Sequence, residues 1–462
     1  MPGIDRLLNT SKEALLSHIT AINITGSNVA NVNTPGYSRL RPIFGSVGSV
    51  GSGSPDQMQV GVKITSVERI YDKYLEVQLV LQEHEVGYNE VRRDALSRVE
   101  GIFNESNGGG INEILNEFWD AWADLSANPA GKGERDVLVS ISQNMAAMFQ
   151  QQAGELQTIQ QDANKTISDT VDQLNTYLED MTIYNNQISQ IEVAGGSAAD
   201  LRDKRAELLR KMSNLIDFNY IEESNGTLNV FISNGRTLVQ GGQMWELAVE
   251  INPANNNFYD ITFADTPGVA INSRLTGGKL AGLIDIRDTT VAGYISDLDT
   301  LAASVISTVN TQHSLGFDAT GNIGGNFFNA ATKAEDMAVS SAIIADGSKI
   351  AASATVNGDG ENAKLISAVR DQLVLNGATV TINGYYSAFV GRIGQNAADA
   401  NAGYDRQKAI LNQYESQKET VSGVSLDEEM LNLTKLQMGY NAAGRLLTTV
   451  NDMIDILFAL GE

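Results

Sequence analysis

Apolar residues recur at helical spacing over most of the chain, and most regularly at its two ends. In residues 425–462 one column repeats every seven positions as Leu426, Leu433, Tyr440, Leu447 and Ile454; a second, offset by three, runs Leu436, Ala443, Val450 and Leu457. Such a double stripe is the seam of a coiled coil, although on this segment alone a core helix of a globular domain reads the same way. Ser425 is a suitable N-cap, and Asp427 and Glu428 fall in the first turn, where the helix dipole favours negative charge. Residues 1–35 carry a matching pattern: Leu8, Leu15, Ile22 and Val29 at strict heptad spacing, beside a weaker column of Ile4, Ser11, His18, Thr25 and Val32. The two ends are expected to pair. Such a pair is marginal by itself, so the termini are expected to be mobile in the free chain and to become helical when neighbouring subunits cover their outer faces.

Between the ends the period changes several times. After SNVANVNTPGYSR, with a turn at Pro35-Gly36, the stretch GSVGSVGSGSP makes residues 36–65 read as a flexible or extended connector. The helical period resumes from Ser66, with Val67, Tyr74, Leu81, Tyr88, Ala95 and Ile102 in one column and His84 beside it. A break at Gly108-Gly109-Gly110 precedes a shorter helix with Trp119 and Trp122 as core anchors. A very long helical run follows from Leu138 to Ile191, stopped by Gly195-Gly196. In LRDKRAELLRKMSNLIDF the alternating charges predict a solvated face. Near residue 217 the period becomes two: Leu228, Val230 and Ile232 alternate, Asn225-Gly226 and Asn234-Gly235 are hairpin turns, and WELAVEI and FYDITF add strands. A β-meander inserted between helices suggests a protrusion.

The helix returns with Val291, Leu298 and Val305 and closes at His313. Residues 335–384 mix short helices with a short strand pair, and from Ser387 a helix carrying Ile393, Ala397, Tyr404, Leu411 and Tyr414 leads to the terminal one. All seven prolines lie at or before residue 267, which leaves long stretches open to helix. The predicted fold is mainly α with a smaller β insert. Residues 66–215 and 276–424 form a coiled-coil-like stem, 216–275 a β-rich outer domain, and 1–35 with 425–462 the terminal helix pair.

Composition narrows the function. With 56 acidic and 32 basic residues the formal charge is −24, which opposes electrostatic binding of nucleic acid or anionic lipid. No window reaches the length of a membrane span, and MPGIDRLLNTSKEALLSHITAIN lacks the pattern of a cleavable secretory signal. Cysteine is absent, and His18, His84 and His313 are scattered, so metal-ligand spacing is missing. Asn357, Asp359 and Glu361 alternate as in a calcium loop, but Asn362 and Ala368 stand where that loop needs glycine and glutamate. No nucleophile setting, cofactor motif or catalytic constellation is expected.

The stretch SNVANVNTPGYSR, through Asn28, Asn31, Asn33, Pro35, Gly36 and Tyr37, resembles the N-terminal signature of bacterial flagellar axial proteins. Four further stretches, LRDKRAELL, GGKLAGLIDIRDTTV, VNTQHSLGFDATGN and SGVSLDEEMLNLTKLQMGYNAAGRLLTTVNDMIDIL, are similar to the hook-associated protein 1 family, the junction proteins between hook and filament. The resemblance implies terminal helices forming an innermost coaxial pair, a helical domain around it and β-rich domains outside. It also implies export through the flagellar type III apparatus, guided by the N-terminus, and a cytoplasmic chaperone on the C-terminal helix. In the mature flagellum it implies polymerisation of like subunits on the hook protein, beneath hook-associated protein 3, outside the cell. The seam residues of both ends would make these contacts. The outer β region, with one clear meander, is short for the family. Alternatives are an exported coiled-coil stalk or adhesin, and another axial protein such as hook-associated protein 3 or flagellin. Those two axial proteins lack the GGKLAGLIDIRD and VNTQH stretches.

Overall fold

The computed structural model describes residues 2–459 except 35, 47–48, 51–57, 60, 106–108, 234 and 357. Pro35, Gly108, Asn234, Asn357 and the centre of the glycine-rich stretch therefore lie outside the described residues. The chain opens with helix α1 (Pro2–Ala30). The connector is a two-stranded ribbon: β1 (Leu40–Ser46) pairs antiparallel with β4 (Val62–Arg69), and the two-residue strands β2 (Ser49–Val50) and β3 (Met58–Gln59) pair between them. Pro42 is tolerated in β1 because a two-stranded ribbon has only edges.

The helix expected from Ser66 begins later, because residues 62–69 pair with β1 as a strand, Val62 and Ile64 inward and Val67 inward again after a register shift. Helix α2 (Lys73–Ile102) starts where the Asp72 carboxylate caps the amides of Tyr74 and Leu75. The heptad column drawn through Val67 is consequently out of register. Tyr74 and Leu81 are exposed, while Leu75, Leu79, Val86, Leu96 and Val99 face inward. Gly87 on α2 lets α5 approach so closely that a Cβ there would lie 2.1 Å from the Asn214 carbonyl oxygen.

Helix α3 (Ile111–Ala127) buries Trp119 and Trp122, as its spacing predicts. Helix α4 (Lys132–Val193) runs 62 residues without a break and stops at Gly195, which takes φ +81°. On α5 (Ala199–Leu215) the expected solvated charges are not all solvated: Asp203 and Arg205 are buried and paired. Their partners come from the ribbon and the first outer strand, which a charge pattern along one helix cannot reveal.

The β region forms two sheets. Strands β5 (Asn219–Glu222), β6 (Leu228–Phe231), β7 (Thr237–Gln240) and β8 (Gln243–Met244) pair in sequence order, and β9 (Leu247–Asn252) with β10 (Phe258–Phe263) makes a separate hairpin. Both lie against α4. Asn185 binds the backbone N–H and C=O of Leu228, and Asn175 binds those of Leu247, at 2.8–3.0 Å. Inward residues of both sheets, Val230, Ile232, Val239, Ile261 and Phe263 among them, join the same hydrophobic core as the helices.

Helices α6 (Gly278–Asp285) and α7 (Val291–His313) are separated by one π turn, residues 286–290, whose Arg287 carbonyl is taken by Gln160 at 2.6 Å. Short helices α8 (Ser341–Ala345) and α9 (Glu361–Ser367) follow, with a single bridge between Leu375 and Val380. Helix α10 (Ile382–Ser422) packs along α2, and α11 (Leu426–Ala459) returns to α1. The fold is mainly α with a smaller β portion.

Candidate functional site

The two terminal helices pack antiparallel, for Asn28 meets Glu429 and His18 meets Gly439. A Cβ on Gly439 would stand 2.5 Å from the His18 ring, so this glycine lets the helices close on one another. On α11, Val450 and Ala443 are buried and Leu433, Leu436, Leu447 and Ile454 are half-buried, whereas Leu426, Tyr440 and Leu457 are exposed. On α1, Leu8, Leu15, Ile22 and Val29 are half-buried. The column that looked weaker contains the more deeply buried Ser11 and Thr25, with Ser17, Ala21 and Ile24 also buried. Small side chains suit this face, which the ribbon and α11 both cover. Ser11 Oγ donates to the Leu7 carbonyl at 2.8 Å and Ser17 Oγ to the Val62 carbonyl at 3.0 Å, so neither hydroxyl is wasted.

Large apolar side chains are also left bare on the outer sides of both helices. Leu7, Leu16 and Ile19 on α1 are exposed, as are Met430, Leu431, Met438, Leu446, Met453, Ile456 and Phe458 on α11. Nothing in the described chain covers them. On α11, Leu431, Met438, Leu446, Met453 and Ile456 fall on one side of the helix, and exposed apolar residues gathered in this way mark an interaction surface.

At the stem end of the pair the signature residues form a polar node. Asn28 is buried and saturated: its Oδ1 accepts from Tyr37 OH and the Leu40 amide, and its Nδ2 donates to the Leu40 carbonyl and to Glu429, all at 2.9–3.1 Å. Asn31 Nδ2 donates to the Ser27 carbonyl, and Asn31 Oδ1 accepts from Thr34 OH, which winds the chain off the end of α1. Gly36 takes φ +79°, a left-handed conformation that favours glycine. Asn33 is exposed. Burial pushes the Tyr37 hydroxyl above its ordinary range.

Four residues of this node were not legible as functional: Arg39, Arg69, Asp203 and Glu429. Arg39 pairs with Glu428 at 2.6 Å and with the buried Glu429 at 2.7 Å. Asp203 accepts from the Ser38 amide and hydroxyl and pairs with Arg69 at 2.9 Å; burial pushes its carboxyl up, against the pull of Ser38 and Arg69. The sequence does place three of them inside the family-like stretches, Arg39 closing SNVANVNTPGYSR, Asp203 in LRDKRAELL and Glu429 in SGVSLDEEM, but nothing local says that they meet.

Two of the three histidines, His84 and His313, serve the core. His313 Nδ1 donates to the Gly325 carbonyl at 2.7 Å and Nε2 accepts from the Ala351 amide at 2.9 Å. His84 is buried edge-on against Phe218. Asp359 and Asp318 close tight turns on their own backbones. Among the described residues no three His, Asp or Glu side chains gather as a metal site, and no helix is long and apolar enough to cross a membrane.

The paired chain ends knotted at Asn28 are the segments that two profiles of flagellar rod proteins match, which makes this an axial protein of the rod and hook class. Residues 8–37 match the family profile described as flagella basal body rod protein, and residues 416–460 that of the flagellar basal body rod FlgEFG protein C-terminal. Residues 96–328 match the flagellar hook-associated protein FlgK helical domain. The chain is 30% identical over 490 residues to flagellar hook-associated protein 1 of Bacillus subtilis strain 168, covering 97% of this chain and 96% of the relative. It is 24% identical to that of Escherichia coli K12, covering 98% and 99%. The chain belongs to the flagellar hook-associated protein 1 family. Its fold is that of the solved flagellar hook junction protein FlgK from Burkholderia pseudomallei, with a TM-score of 0.67 at 17% identity over 75% of this chain and 100% of the other.

Proposed function

We propose that this protein is the structural adaptor that polymerises on the distal end of the hook and joins it to the filament through the next hook-associated protein. The observation that carries this reading is the set of bare large apolar side chains on the outer side of α11, with further ones on α1. Each such side chain gains about 1.5–3 kcal/mol on full burial, so identical neighbours on either side would be bound strongly. Contacts between different patches of like subunits propagate as a helix unless the rotation closes them. The buried and half-buried seam residues hold the pair together, and the outer residues, with the exposed Leu426, Tyr440 and Leu457, meet the neighbours: like subunits within the tier, hook protein below, hook-associated protein 3 above. Before assembly the same side chains need cover, which fits a cytoplasmic export chaperone on the C-terminal helix and passage through the flagellar type III apparatus to the outside of the cell. No step of this role requires catalysis or a cofactor.

Electron microscopy of hook tips from a strain lacking the gene tests the reading. Hooks without filaments, and filaments restored by the parent gene but not by a Met438→Asp, Met453→Asp variant, are expected. Filaments of normal number and attachment in the deletion strain would end it.

A further inference from the structure

Asp203 holds an odd position for a carboxylate. It belongs to the stem helix α5, is only 8% exposed, and turns both oxygens toward the ribbon. Oδ2 accepts the Ser38 amide at 2.9 Å, and Oδ1 accepts the Ser38 hydroxyl at 2.7 Å and the Arg69 guanidinium at 2.9 Å. Ser38 lies just before β1 and Arg69 ends β4, where it faces Leu40 across the ribbon. One side chain therefore grips both strands at their foot. On the other side of that foot, Asn28 holds Leu40 while Arg39 and Asn28 hold Glu429 of α11. Helices α1 and α11 pack on each other and α1 packs on the ribbon; neither makes a comparable contact with a stem helix. The chain passes between the two bodies, the terminal pair with its ribbon and the stem, only at 70–72 and 423–425. Other ties are slight: the Arg39 amide to the Ser422 carbonyl at 2.9 Å, the exposed Ser197 hydroxyl to the Val67 carbonyl at 3.2 Å, and Gly36 lying beside Glu207.

We infer that Asp203 is a positioning residue, the latch that fixes the angle between the terminal helix pair and the stem. Closed, it ties the stem through the ribbon to both terminal helices. Open, it frees the pair and its ribbon to swing on two short linkers while each body keeps its own core. A joint held by hydrogen bonds and one ion pair exchanges them for water on opening, unlike one made of packed leucines. The latch does not depend on the proposed junction role.

Because the chain has no cysteine, spin labels can be placed in pairs on the full-length protein. Lys63→Cys on β4 with Glu179→Cys on α4 reports the ribbon-to-stem distance; Asp169→Cys with Ala402→Cys reports the stem alone. A narrow first distribution is expected in the parent. Asp203→Ala should broaden it and leave the second distribution unchanged, with Asp203→Asn in between because it keeps an acceptor for Ser38 but loses the charge facing Arg69. Amide exchange at Ser38 should rise about 10- to 100-fold in Asp203→Ala, the effect of losing one charge-assisted hydrogen bond. A first distribution that stays narrow in Asp203→Ala, or is already broad in the parent, overturns the inference. So does equal broadening of both, which would make Asp203 a prop of the stem fold rather than of the joint.

Discussion

Acid should weaken this protein through two buried histidines, and His313 allows the effect to be isolated. Its ring is fully buried beside Trp122 and Phe327, and its two hydrogen bonds fix the neutral form protonated at Nδ1. Burial pulls its pKa down from 6.5 to about 4, against a smaller upward pull from the Gly325 carbonyl. A histidine depressed on folding contributes stability that is intact above pH 6.5 and lost as the pH falls toward the folded value, because the unfolded chain takes up a proton that the folded chain refuses. Between pH 7 and 4.5 that loss is roughly 2.5 kcal/mol for His313. His84, also pulled down to about 4 by burial, contributes a similar loss. The raised carboxyls of Glu83 and Asp203 act in the opposite sense over the acid range, so the parent curve alone is a mixture. The difference between the parent and His313→Gln cancels them. Urea unfolding followed by circular dichroism at pH 7 and pH 4.5 should show His313→Gln losing roughly 2.5 kcal/mol less than the parent. At pH 7, His313→Leu should cost about 2–6 kcal/mol, since the Gly325 carbonyl and Ala351 amide are left without partners. Equal acid losses in the parent and His313→Gln would refute the argument.

Two further substitutions probe the anchor and the core. Asn28→Ala removes four hydrogen bonds, but water can replace those of Leu40 and Tyr37 and Arg39 still holds Glu429, so the cost should be about 2–4 kcal/mol. It should appear as faster proteolysis and hydrogen exchange of α1 and α11 with stem melting unchanged, and Asn28→Asp, which sets a second carboxylate against Glu429, should be worse; a shifted stem melt would contradict it. Gly278→Ala should destabilise the stem by about 2–5 kcal/mol, because φ is +76° and the new Cβ would sit 2.5 Å from the Ile216 amide nitrogen. Gly293→Ala, with nothing within 4 Å, is the control and should be neutral or slightly stabilising in the same thermal melt.

Long-period features were legible. The run from Leu138 to Ile191, its glycine stop, the tryptophan anchors of α3 and the alternation of Leu228, Val230 and Ile232 are all set by local pattern and burial, and the structure has each of them. The ribbon was not legible, because β4 is eight residues long and its partner β1 lies some twenty residues back across a glycine-rich stretch and contains Pro42. A short alternating segment running into a helix is easily absorbed into the helix's own heptads. The charges of α5 were misread for a related reason: Asp203 finds Ser38 at a separation of 165 residues, and nothing in a local window announces it. On the terminal helices the apolar columns were visible. Which columns face inward was not, since Ser11 and Thr25 go inside for their size while Leu7 and Leu16 stay out.

The uninterrupted α4 has a mechanical consequence. At 62 residues it is about 90 Å long, and a tilt of about one degree at either end displaces the other by about 1.6 Å. Near its start Arg135 is locked to the Pro129, Gly347 and Ile350 carbonyls; farther along, Asn175 and Asn185 fasten it to both sheets. Braced in this way, the rod cannot relieve a push by buckling midway. A load applied near residue 350 would reach Val193, one turn before the helix that carries Asp203, as a lever's short stroke rather than as diffuse strain.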